Sequence, residues 1–156
     1  MLTIVSVESE ERLNHIRELF TEYTNWLGFD LSFQDFEKEF AELPGKYAPP
    51  DGRLFLALED TTAVGCVALR KFEEGICEMK RLYIRSEFRR KGYGKELAKK
   101  IIDTAREIGY EYMRLDTAPN MIEAIALYYS LGFNKIAPYR YNPIKGTLYF
   151  ELNLNK

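Results

Sequence analysis

The sequence predicts an α/β fold built on a mixed sheet, and three observations predict it. Some segments repeat apolar residues every three or four positions, while others are short strand-like runs. These segments follow one another as strand, helices, meander, helix, strand, helix and strands. Glycines, prolines or polar pairs punctuate them.

Leu2 to Val7 reads as a first strand. From about Glu10 to Trp26, Leu13, Ile16, Leu19, Phe20, Tyr23 and Trp26 fall at three and four spacing, which predicts a helix ended by Gly28. A second helix is expected from about Ser32 to Leu43, with Phe33, Phe36, Phe40 and Leu43 on one face and Ser32 as N-cap. Pro44, Gly45, Pro49, Pro50 and Gly52 cannot continue it and make a loop. Three apolar runs follow, Leu54 to Leu58, Ala63 to Leu69 and Ile76 to Ile84, and their short polar connections predict an antiparallel meander. The period then changes: Leu97, Ala98, Ile101, Ile102, Ala105 and Ile108 form one helical stripe closed by Gly109. Tyr112 to Asp116 is a short strand, Pro119 and Asn120 open a helix to about Leu131, and Phe133 to Ile136 and Thr147 to Leu152 are the last strands. No internal repeat or linker divides the 156 residues, so a single domain over 1–156 is expected.

Composition narrows the function classes. Hydrophobic residues at 46% and charged residues at 29% are those of a globular chain, not of a disordered one. No apolar run approaches the roughly 20 residues that span a bilayer, and Met1 to Ser9 lacks the features of a signal peptide, so a cytoplasmic protein without membrane contact is expected. Cys66 and Cys77 sit in apolar runs and read as core thiols; with a single His15 on the first helix, no metal centre is expected. Charge is segregated. Residues 1 to 51 carry 4 basic and 11 acidic side chains, whereas residues 78 to 100 carry 9 basic and 3 acidic ones. A basic cluster around a glycine turn suits a polyanionic ligand. The overall net charge of -2 is opposite to the usual footprint of a nucleic-acid binder, so no nucleic-acid partner is expected.

That turn is Arg89-Arg90-Lys91-Gly92-Tyr93-Gly94, between the third meander strand and the Leu97 to Ile108 helix. Glycines let backbone N–H groups converge on a ligand, and a following helix N-terminus adds partial positive charge, which together suit a pyrophosphate. The spacing is neither the dinucleotide-binding fingerprint nor a P-loop, since no Lys-Ser/Thr follows Gly94. Arg89, Gly92 and Gly94 resemble the Arg/Gln-x-x-Gly-x-Gly/Ala signature of the GNAT superfamily of acyl-CoA-dependent N-acetyltransferases. A second family element, an apolar-Tyr-x-x-x-Gly-Phe pattern, is matched from Leu127 to Phe133.

The resemblance implies a mostly antiparallel sheet of six to seven strands, flanked by about four helices and splayed between strands 4 and 5. It implies acetyl-CoA as co-substrate, with its pantetheine arm on the backbone of Leu82 and Ile84. Its pyrophosphate would lie on Arg89, Arg90, Lys91, Gly92, Tyr93, Gly94 and Lys95. Asn120 stands one position before the family's asparagine, where this chain has Met121, and either touches the cofactor or caps the helix. Tyr128 matches the family tyrosine beside the thioester sulfur and is the expected general acid, with Tyr129 as its competitor should the helix be rotated. Glu78, on the fourth strand, resembles a family general base. Partial desolvation would raise its pKa for that role, whereas an ion pair with Lys80 or a base on a neighbouring strand would make it structural. Acceptor recognition in the family comes from the first two helices and the loop before the last strand, here Glu22, Tyr23, Trp26, Tyr139 and Arg140. Aromatic walls beside acidic charge fit an amine, and Arg140 would suit an acceptor carboxylate. The expected reaction is acetyl transfer to a primary amine of a small molecule or peptide in a ternary complex. A non-catalytic acyl-CoA sensor of the same fold is the alternative, and the aromatic content leaves surface for a homodimer.

Overall fold

The computed structural model describes residues 2–28 and 36–155. Strand β1 (Leu2–Ser6) leads to helix α1 (Glu10–Leu27), whose first turn is capped by Ser9: its Oγ accepts from the Arg12 N–H at 3.2 Å. Gly28 ends α1 with φ 75, and its N–H donates to the Thr24 carbonyl. Helix α2 (Phe36–Glu42) follows; the expected cap Ser32 and Phe33 lie outside the described residues. Then come strands β2 (Arg53–Glu59), β3 (Thr62–Glu73) and β4 (Ile76–Ile84), helix α3 (Tyr93–Ile108), strand β5 (Tyr112–Thr117), helix α4 (Ile122–Ser130), and strands β6 (Asn134–Ile136) and β7 (Leu148–Asn153).

The strands form one seven-stranded sheet in the order β1-β2-β3-β4-β5-β7-β6. Every neighbouring pair is antiparallel except β4 and β5, which run parallel. The period of two sorts β2 between two cores. Leu54 and Leu56 pack with Ile16, Leu19 and Phe20 of α1, while Phe55 and Ala57 pack with Leu97, Ile101 and Ala105 of α3. Each face of the sheet is therefore covered by a helical stripe that the sequence already displays. Cys66 and Cys77 are buried and unpaired, and burial pushes both thiols up, Cys77 to about 12.

Several boundaries differ from the sequence reading, three of them by enough to matter for the site. β3 continues to Glu73, held by its pairing with β4 beyond the apolar run. α3 begins at Tyr93, so Gly94 belongs to its first turn. α4 begins at Ile122 with Met121 at its cap and no side-chain capping bond, so Asn120 does not cap it.

Beside the glycine turn, the sheet is open. β4 and β5 pair only through Ile76–Tyr112, Cys77–Met113 and Glu78–Arg114, leaving Met79 to Ile84 without a β5 partner. On its other edge β4 bulges: Cys66 faces Tyr83 and Ala68 faces Lys80, so Arg81 and Leu82 oppose Val67 alone. Arg81 adopts φ 59 at the bulge and is held by an ion pair to Glu39 at 3.0 Å. A bulge bends its strand and strengthens the local twist, which carries the end of β4 away from β5.

Candidate active site

The opening between β4 and β5 holds a cleft of about 480 Å³. One wall is β4 through Leu82 and Ile84, the floor is the Arg89–Lys95 turn, and the other wall is the start of α4 from Asn120 to Leu127. Gly92 takes φ 82, with open space where a Cβ would stand. Any other residue is strained there. Gly94 approaches both walls, its Cβ direction lying 3.9 Å from Ile84 Cγ1 and 3.9 Å from Leu127 Cδ2. Arg90, Gly92, Gly94, Lys95 and Asn120 line the cleft together, as the sequence groups them. Lys91 leans instead toward Glu59, 3.6 Å away, with its ammonium 6.0 Å from the Tyr93 ring.

Arg89 is anchored rather than free. Its Nε donates to the Ile84 carbonyl at 2.8 Å, and its guanidinium lies 4.2 Å from the Trp26 ring centre and 5.6 Å from that of Tyr83. Trp26 thus lines the cleft. Glu22, one helical turn earlier, is also engaged: its carboxylate accepts from Arg85 Nε at 3.0 Å and from Arg85 Nη2 at 2.8 Å. The C-terminal turns of α1 are therefore fastened to the segment that leads into the glycine turn.

A second, smaller cavity of about 40 Å³ lies beside it. Leu82 and Met121 line both cavities. Tyr128 lines the inner one with Tyr23, Lys80, Asp116, Thr117 and Asn142. The Tyr128 ring is fixed against Phe133 and Phe150, with centroids 5.7 and 6.0 Å away. Burial, and then the nearby Tyr23 and Asp116, push its hydroxyl well above the usual tyrosine range, which favours the protonated form. Tyr129 points outward, edge-on to Phe150, and reaches neither cavity. Asp116 and Asn142 are not singled out by the sequence, and Lys80 only as a partner of Glu78, because the three meet only when β4, β5 and the loop before β7 are brought together.

Glu78 lies one step behind this cavity and is fully buried. Arg70 faces it from β3 and Arg140 from the loop, and both bond its Oε1, at 3.0 and 2.7 Å. Tyr139 donates to Oε2 at 2.7 Å. Burial alone would raise its pKa, but Lys80, Arg140, Arg70 and the Tyr139 bond outweigh it and hold the carboxyl below its usual value. The expected raised pKa is thus reversed, and the neighbouring-strand ion pair is the arrangement found. Tyr139 and Arg140 are committed to Glu78 and do not line the cavity.

Comparison with known proteins agrees with this geometry. A family model described as the acetyltransferase (GNAT) family matches residues 13–133. A Schizosaccharomyces pombe protein named as an uncharacterized N-acetyltransferase is 40% identical over 99% of this chain and 96% of its own. An N-acetyltransferase from Thermoplasma acidophilum, solved in complex with coenzyme A, superposes with a TM-score of 0.77 at 20% identity, covering 98% of this chain and 99% of that one. A GNAT-family acetyltransferase from Staphylococcus aureus superposes with a TM-score of 0.83 at 20% identity, covering 99% of both chains. Acetyl-CoA is the co-substrate of this family. With its glycine turn, its split sheet and a family match over most of its length, the chain belongs to the GNAT family of acetyltransferases.

Proposed function

We propose that the protein transfers the acetyl group of acetyl-CoA to a primary amine of a small molecule or peptide by direct attack in a ternary complex. The observation that carries this reading is the placement of Tyr128: buried, protonated and at the inner cavity that adjoins the cleft. The pyrophosphate would sit on the backbone of Arg89 to Lys95 with Arg90, Lys91 and Lys95 around it. Asn120 would border it, and the pantetheine arm would follow the unpaired edge of Leu82 and Ile84. The thioester then arrives beside Tyr128. The amine nitrogen forms the C–N bond while the C–S bond breaks, Tyr128 gives its proton to the departing thiolate, and a proton released by the nitrogen restores the phenol. Tyr23 walls the acceptor side. Glu78, with both oxygens bonded, acts by fixing Arg140, Tyr139 and the charge near Lys80.

The test is thiol release from acetyl-CoA by the purified protein against amines, amino acids, polyamines and lysine-containing peptides. Thiol release that depends on one acceptor class, with the acetylated product seen by mass spectrometry, is the expected result. Coenzyme A binding without thiol release for any acceptor would favour the non-catalytic acyl-CoA sensor instead.

A further inference from the structure

Two elements that line neither cavity converge on one residue of β4. Arg81 lies in the bulge with φ 59, a left-handed conformation that a residue with a Cβ keeps only where its surroundings hold it there. Its side chain reaches α2, where its Nε donates to Glu39 Oε2 at 3.0 Å. Tyr47, in the 3₁₀ turn Gly45–Tyr47, donates its hydroxyl to Glu39 Oε1 at 2.6 Å, so both carboxylate oxygens are bonded. The pair is sequestered from water, with the Arg81 side chain 2% exposed and that of Glu39 15%. Breaking such a pair is costly, whereas an exposed one contributes little. Neither Glu39 nor Tyr47 lines the cleft or the smaller cavity.

The bulge decides which side chains face the cleft. From Lys80 to Tyr83 β4 advances three residues, while β3 advances two between their partners Ala68 and Cys66. Without the extra residue every side chain after it would change face, and Leu82 and Ile84 would leave the wall of the cleft. Past the bulge β4 is drawn tight against β3, since a Cβ on Gly65 would stand 2.6 Å from the Tyr83 carbonyl oxygen. The same stretch, Met79 to Ile84, has no β5 partner. Resting on the reading above that coenzyme A lies along this edge, we propose that Glu39 is a positioning residue of the cofactor site. Through Arg81 it holds the β4 bulge, and so keeps Leu82 and Ile84 on the open edge of the sheet.

The experiment replaces Arg81 in two ways. Glycine adopts φ 59 without strain and methionine does not, while both lose the ion pair. By calorimetry, Arg81→Met should weaken coenzyme A binding about tenfold or more, and Arg81→Gly should bind at least about threefold tighter than Arg81→Met. The near-isosteric Glu39→Gln should weaken binding about three- to tenfold in the wild-type chain and add nothing further in the Arg81→Gly chain, because it acts through Arg81. Hydrogen exchange reads the same device without a ligand: the amides of Arg81 to Ile84 should exchange faster in Glu39→Gln than in the wild type. Thermal melts of each variant separate a displaced strand from lost folding. Arg81→Gly binding no tighter than Arg81→Met, or a folded Glu39→Gln protein with wild-type affinity and exchange, would overturn the proposal. Faster exchange in Glu39→Gln, with no coenzyme A binding by the wild type, would uphold the hold on the bulge and sink the placement of the cofactor instead.

Discussion

Arg70 and Arg140 both close on one oxygen of Glu78, and that crowding sets the behaviour of the polar half of the site. Glu78→Ala would leave two guanidiniums facing each other without their carboxylate, and should cost about 3 kcal/mol or more in a urea titration. The sign of its pH effect follows from a carboxyl held below its usual value despite burial. Its stabilisation is present above an unfolded pKa of about 4.3 and is lost as pH falls through that value toward the folded one, a component absent from the variant. Lys80 titrates the other way. Burial lowers it to about 8 against the pull of Glu78 and Asp116, with Arg81 and Arg140 adding to the lowering. Between about 8 and the unfolded value near 10.4 the unfolded chain holds the extra proton, so stability from this group rises with pH across that window. The sequence offers an ion pair with a neighbouring-strand base as one reading of Glu78, but not which groups form it. Its partners lie at positions 70, 139 and 140, and only strand pairing and a loop crossing bring them to it.

At the scale of elements, the order of strands and helices was legible because each has its own period and its own punctuation. Gly28, Gly109 and the stripe from Leu97 to Ala105 act within a few residues of themselves. The glycine turn was legible for the same reason, since its residues are contiguous. What escaped was set by contacts distant in sequence: the extension of β3 to Glu73, the bulge at Arg81, and the fastening of α1 to the turn through Trp26 and Arg89. That last contact makes α1 a support of the proposed cofactor cleft. Trp26→Ala should loosen Arg89 and weaken coenzyme A binding about three- to tenfold, of the order expected for a cation–π contact near 1 kcal/mol. Gly94→Val should be more severe, because its side chain enters the cleft between Ile84 and Leu127. Calorimetry with coenzyme A on both variants, beside their thermal melts, checks the two expectations.

As a whole, the molecule is one twisted sheet whose two cores close over helices on either face, and the opening of its ladder between β4 and β5 is the proposed binding cleft. A ligand that bridges β4, the α3 turn and α4 reconnects elements that the open ladder leaves apart, so it should stabilise the native state by mass action. At about 100 times its dissociation constant, coenzyme A should add about 2.7 kcal/mol, which for a chain of this size raises Tm by roughly 5 to 10 °C. The one tryptophan of the sequence, Trp26, lines the cleft at 46% exposure and should report the same event by fluorescence. In the proposed mechanism, chemistry at Tyr128 is a separate property from binding along the cleft. The most direct test is therefore Tyr128→Phe, measured for turnover and for coenzyme A affinity in the same preparation. Turnover should fall by about a hundredfold or more while affinity stays within about threefold. Unchanged turnover would contradict the assignment of Tyr128 as the acid, and with it the inner cavity as the place of acetyl transfer.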